Sequence, residues 1–278
     1  MEQVLDFLRR LHDNNDREWF DAHRAEWTRV KGRFADFTQR LIDGIASFDS
    51  SVRGLRPQDC TYRIARDTRF SADKTPYKNY VSAFIAPRGK QSGYAGYYLH
   101  VEPSGDGLLG GSQLGGGVVC LEPVVLRSVR EEMLDNGAEV LRAVSAARGF
   151  RLWEGNKLKR VPTGFPSDSE YAELLKLKDF YVERPLDEKE LLRSDAVERL
   201  GRAVPAHAAL RGDPEPGDPL RLRGDDVIGA RCMSGSTAAL RADRQTAGCS
   251  AWKACRFFVH RLAAPDQRSR LARKLRRA

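Results

Sequence analysis

The chain has 278 residues, is 41% hydrophobic and 31% charged, and carries a formal net charge of +9. That length suffices to bury a sizeable core, and no run of about 18 apolar residues offers a membrane span. The charge is confined: residues 1–218 hold 33 Lys+Arg against 34 Asp+Glu, while residues 219–278 hold 14 against 4, so whole-chain basicity is no sign of a nucleic-acid surface on the main domain.

In chain order, residues 3–11 read as a short helix with Val4, Phe7, Leu8 and Leu11 on one face. A second helix opens with Asn15 as N-cap and Glu18 completing a capping box. Its apolar row, Trp19, His23, Trp27, Val30, Phe34, Phe37, Leu41, Ile45 and Phe48, advances in steps of three and four, which predicts one long helix lying across a sheet. His23 on that row reads as a packing residue. Strands are expected at 60–66, 80–86 and 96–102, being short, β-branched or aromatic, and bounded by turns. In the third, Leu99 and Val101 point one way and Tyr98, His100 and Glu102 the other.

Between Gly105 and Gly117, seven of thirteen residues are glycine. The GxGxxG match inside this stretch is rejected, because the fingerprint needs its third glycine to open a helix and GSQLGGGVV does not form one. The stretch reads as a flexible hairpin ending in a short strand at 117–120. Helices are expected at 123–135, 138–147, 168–177 and about 187–200, with a strand at DFYVERP. Near Gly201 the apolar periodicity gives way to Gly, Pro, Ala and Arg, a composition that predicts a disordered tail over 201–278. The five cysteines show no CxxC pair and read as reduced thiols, and MEQVLDFLRR lacks the pattern of a signal peptide, so the cytoplasm is the expected location.

Residues 63–78, RIARDTRFSADKTPYK, are the densest charged window. Arg63, Arg66, Asp67, Arg69, Lys74, Tyr77 and Lys78 form the candidate binding cluster, because guanidinium pairs and ammonium charges at a strand end and tight turn suit a phosphate or carboxylate. Tyr98 joins them if its strand neighbours 60–66, and Lys176 and Lys178 are expected to complete an anion pocket. His100 and Glu102 are the candidate catalytic pair, spaced two apart for proton transfer. The same pair would serve as two metal ligands, but no third His or carboxylate stands at ligand spacing, so no metal is assigned and no cofactor is named. The alternative is that Asp67 and Asp73 neutralise the arginines in a network that fastens a loop.

Together REWFDAHRAEW, RIARDTRFSADKTPYKNY, GYYLHVEP, the GGG before Glu122-Pro123, LKRVPTGF and ELLKLKDF resemble the domain of unknown function 2461 family over about residues 3–198. The resemblance implies an α+β domain over 1–200, with a mostly antiparallel central sheet packed by a long N-terminal helix and further helices. It implies a soluble intracellular protein and brings no activity. In that family the helix after about Val197 runs on to a nearby C-terminus, whereas here GRAVPAHAALRGDPEPG replaces it. The residues after about 200 therefore read as a frameshifted translation. Three function classes stand in order: a domain that binds or acts on a small anionic or phosphorylated ligand, a nucleic-acid-binding protein, and a structural or partner-binding module without chemistry.

Overall fold

The N-terminal apolar stripe becomes helix α1, Glu2–Asp13, which buries Val4, Leu5, Phe7, Leu8 and Leu11. The computed structural model describes residues 1–105 and 107–203. The expected continuous second helix is two. Asp16, not Asn15, is the N-cap of α2, Arg17–Ala22, its carboxylate accepting from Trp19 N at 2.8 Å. Asn15 holds a distant segment instead: it donates to Tyr77 O at 2.9 Å and accepts from Tyr77 N at 3.1 Å. His23 leaves helical geometry (φ −104°, ψ 14°) before α3, Arg24–Ala46, begins. Its ring stacks on Trp19 at 4.0 Å and Nδ1 bonds Trp19 O at 2.7 Å, the packing role read from sequence.

The sheet has five strands: β1, Val81–Ile85; β2, Gly96–Val101; β3, Ser112–Val118; β4, Arg151–Leu152; and β5, Phe180–Leu186. Their order is β1-β2-β3-β5-β4, every pairing antiparallel. The fold class is α+β as expected. Residues 60–66 are not the expected strand. Helix α4, Pro57–Cys60, runs into them, and the segment's backbone meets the sheet at a bridge from Thr61 to Ala83, then pairs with its own return at Ala65 and Tyr77. Tyr98 is therefore not beside 60–66, since β1 lies between them.

The glycine-rich stretch is the larger departure, for half of it is β3. Glycine is required there by close approach. A Cβ at Gly117 would lie 2.1 Å from Phe180 O, and its φ of +137° is one that side chains rarely adopt. The two helices expected at 123–147 run end to end as α5, Pro123–Ala146, and the break between them falls where it is expected, at Asn136, whose backbone (φ −125°, ψ 19°) is not helical. The helix expected at 168–177 shrinks to α6, Ala172–Leu175, and that at 187–200 divides into α7, Glu188–Leu191, and α8, Ala196–Ala203.

Alternation puts Val81, Ala83, Ile85, Leu99, Val101, Leu114 and Leu186 on one sheet face, against α1, α3 and α8. The same face continues through Val118, Phe180 and Val182 onto α5 and α6. The other face gathers Phe84, Tyr94, Tyr98 and Tyr181, with Tyr62 and Trp153 at its margin, and among the described residues no helix residue joins that cluster. Cys60 is a free buried thiol whose pKa is pushed up to about 12 by burial. Among the described residues no helix is long and apolar enough to cross a membrane. The tail and its frame reading lie outside the described residues, beyond the last turn of α8.

Gly117→Ala is expected to cost at least about 2 kcal/mol, from backbone strain and from overlap with the β5 main chain. A urea unfolding curve checks it; a midpoint equal to wild type would show that β3 and β5 have room to part.

Candidate functional site

The polar face of β2 carries a hydrogen-bonded chain. Tyr98, His100 and Glu102 recur at every second residue and so project from one face. Tyr98 Oη meets His100 Nδ1 at 3.1 Å, and His100 Nε2 meets Glu102 Oε2 at 3.1 Å. Glu102 also accepts from Leu108 N at 2.6 Å and Leu109 N at 2.8 Å. His100 and Glu102 are both fully buried. The loop can close so tightly because position 107 is glycine; a Cβ there would lie 2.0 Å from Glu102 Oε1. Ser82, paired with His100 across β1, adds a bond to Tyr98, and the Tyr80 ring packs on the imidazole at 4.4 Å.

Acceptors and donors assign the protons. Burial pushes the Glu102 carboxyl up, but bonds from His100 and from the Leu109 and Leu108 amides outweigh it and hold the group below its usual range. Burial holds the His100 imidazole below its ordinary value; Glu102 opposes this and the Lys78 ammonium adds to it. The consistent arrangement is a carboxylate at 102 and a neutral imidazole at 100 donating from Nε2, with Tyr98 donating to Nδ1. Burial pushes the Tyr98 phenol far up, so it stays protonated. The chain can store a proton or hand one along its length. Among the described residues no group of three His, Cys, Asp or Glu is placed to hold a metal ion.

The candidate binding residues separate into four places. Arg66 bonds Asp73 and Thr75, and Arg69 grips Asp67 with Nε at 2.9 Å and Nη2 at 2.6 Å. Lys74 donates to Thr68 O at 2.9 Å. The Thr75 amide and then Arg66 pull the Asp73 carboxyl down to about 2, and Arg69 pulls Asp67 lower still, so both stay charged. This is a loop tied by its own ion pairs. Arg63 is exposed beside it and helps depress Asp67. Tyr77 stacks on Phe20 at 4.0 Å and joins the N-terminal core.

Lys78 alone of the cluster reaches the β2 chain, its ammonium 5.9 Å from the Tyr62 ring centroid and 5.8 Å from that of Tyr80. Lys176 and Lys178 lie elsewhere. They precede β5, whose start pairs with the Val118 end of β3, whereas His100 pairs with Gln113 near the other end. Lys176 bonds Glu173 at 2.5 Å and Lys178 bonds Asn156 at 3.0 Å. Sequence reasoning passed over Ser82, Tyr80, Tyr62 and the two loop amides. The alternation of β1 is the one signal for Ser82, while the amides have none because backbone donors are anonymous.

A family model described as Conserved hypothetical protein (DUF2461) matches residues 3–211. No curated protein and no solved structure matches the chain.

Both shifts in the pair are downward, so as pH falls the unfolded chain takes up each proton before the folded one. The stability they contribute is whole above about pH 6.5; it declines below that for His100 and below about pH 4.3 for Glu102. His100→Gln is therefore expected to flatten the fall in Tm between pH 7.5 and pH 5, and parallel curves would contradict the assignment. Glu102→Gln is expected to cost about 1–3 kcal/mol by leaving a loop amide or the imidazole badly paired. It should also speed hydrogen exchange at the Leu108 and Leu109 amides, which the change would leave slow if other contacts hold the loop.

Proposed function

The chain belongs to the conserved hypothetical protein family DUF2461, and we propose that it binds a small anionic ligand at Lys78, with the Tyr98–His100–Glu102 chain beside the ligand as a proton relay. One observation carries this reading: the Lys78 ammonium is held between two tyrosine rings, and one of these, Tyr80, packs on the buried imidazole. Burial is the main influence holding His100 low and the Lys78 charge a lesser one; an anion at Lys78 would offset that lesser part, so binding and protonation would be coupled. A phosphate or carboxylate with a proton to gain or lose fits that site. Arg66 and Arg69 serve as clamps of the 67–75 loop and lie outside it, their charges already met by Asp73 and Asp67.

That local pairing also favours a second reading, a binding or structural module without chemistry, in which the loop and the buried chain only maintain shape. The two differ in what a ligand does to His100. Proton-detected imidazole spectra of the full chain, titrated with phosphate, pyrophosphate, citrate and adenosine monophosphate, are the test. The proposal expects at least one anion to raise the His100 pKa toward its ordinary value and Lys78→Met to abolish the movement. Resonances that no anion moves, or that still move in Lys78→Met, would leave the module reading standing.

A further inference from the structure

The strongest unexplained group lies away from this site. Arg130, on α5, is 7% exposed. Its Nη2 donates to Leu177 O at 2.9 Å, and its Nε is enclosed without an acceptor. Among the described residues no carboxylate pairs with it. Arg184 shows the usual counter-charge: its Nε too lacks an acceptor, but its guanidinium meets Glu190 twice, at 3.0 and 2.8 Å. A buried charge is ordinarily paired, because removing it from water without a counter-charge is costly.

Carboxylates on α5, on α6 and just before β5, the elements that Arg130 joins or follows, are committed elsewhere. Glu173 takes Lys157 at 2.6 Å and Lys176 at 2.5 Å, and Glu131 takes Arg127 at 3.1 Å. Asp179 accepts from Cys120 N at 2.6 Å and Asn156 at 3.0 Å. Meanwhile a cationic segment runs alongside. Leu158 N bonds Lys176 O at 2.9 Å, and seven residues on, Phe165 lies under the Arg127 guanidinium at 5.9 Å. Residues 158–165 thus run from the main chain before β5 that Arg130 caps to the hydrophobic cluster of α5, where Val161 and Phe165 pack with Val129 and Met133, and Lys159 and Arg160 within the segment are exposed.

We propose that Arg130, with Lys159 and Arg160, forms a site for a small oxyanion, phosphate or carboxylate, between α5 and the 158–165 segment. The anion supplies the counter-charge that the chain does not, and the guanidinium offers it planar, directed N–H donors. This site is separate from Lys78 and does not rest on the relay. The competing account is that Arg130 only caps the Leu177 carbonyl.

Thermal unfolding of the full chain in sodium phosphate, sodium acetate and sodium chloride at matched ionic strength distinguishes them. An oxyanion that binds the folded chain raises Tm above the chloride value. The larger increment, phosphate or acetate, names the source. Arg130→Met is expected to abolish that increment and Lys78→Met to keep some or all of it. The exposed pair Lys159→Ala with Arg160→Ala, which leaves the core intact, is expected to reduce it at least twofold in apparent affinity. Equal Tm in all three salts would overturn the site, as would an increment that survives Arg130→Met. If Arg130→Met fails to fold, the exposed pair decides, and an unchanged increment there rejects the proposal.

Discussion

A single carboxylate, that of Glu102, fixes the turn on which the sheet depends. It stands at the end of β2 and receives the imidazole of His100 and two amides of the returning loop. Its own backbone is tied to the start of β3, for Glu102 N donates to Ser112 Oγ at 3.0 Å and Ser112 Oγ donates to Glu102 O at 2.9 Å. These bonds orient a loop that glycine makes too permissive to orient itself. They set the register in which His100 faces Gln113 and Tyr98 faces Gly115. A carboxylate this enclosed is stable only because three donors converge on it. Burial, against the pull of Glu102, keeps His100 neutral, and the bond to Glu102 points its remaining nitrogen at Tyr98.

The two faces of the sheet therefore have different work. Helices α1, α3, α5, α6 and α8 bury one face against aliphatic side chains, which contribute by area and without direction. The other face is aromatic and polar, and its groups act through directed bonds and ring contacts. Tyr80, Phe84, Tyr98 and Tyr181 each keep 6–8% of their surface exposed, against 0% for Ala83, Val101, Leu114 and Val182 behind them. Lys78, half-buried, stands at the margin of that face, over the Tyr62 and Tyr80 rings. A ligand approaching there would meet a cation before it met the relay.

Much of this was legible in residue order, and the failures have physical causes. β2 is readable because Tyr98, Leu99, His100, Val101 and Glu102 alternate in character, so both the strand and the pairing of His100 with Glu102 follow from spacing. β3 is not, because Gly115, Gly116 and Gly117 have no side chains to alternate; what makes them a strand is the close approach of β5, a tertiary fact. Asn15 and Asp16 are equally good caps by type, and the choice of Asp16 reflects the demand of the Tyr77 backbone on Asn15. The charged window at 63–78 advertised convergence, but Asp67 and Asp73 stand two to seven residues from the arginines they bond, and local pairing won. Arg130 drew no notice because a lone arginine on a helix is ordinarily solvated.

The protonation of His100 at rest tests the account most directly, since the Glu102 anchor, the Tyr98 bond and the effect of Lys78 all act through it. Nitrogen-15 shifts of the imidazole in the ligand-free full chain, followed from pH 8 to pH 5, report tautomer and charge together. The account predicts a neutral ring with the proton on Nε2, still neutral where an exposed histidine would be half charged, near pH 6.5. A ring carrying its proton on Nδ1, or titrating at or above that ordinary value, would contradict it.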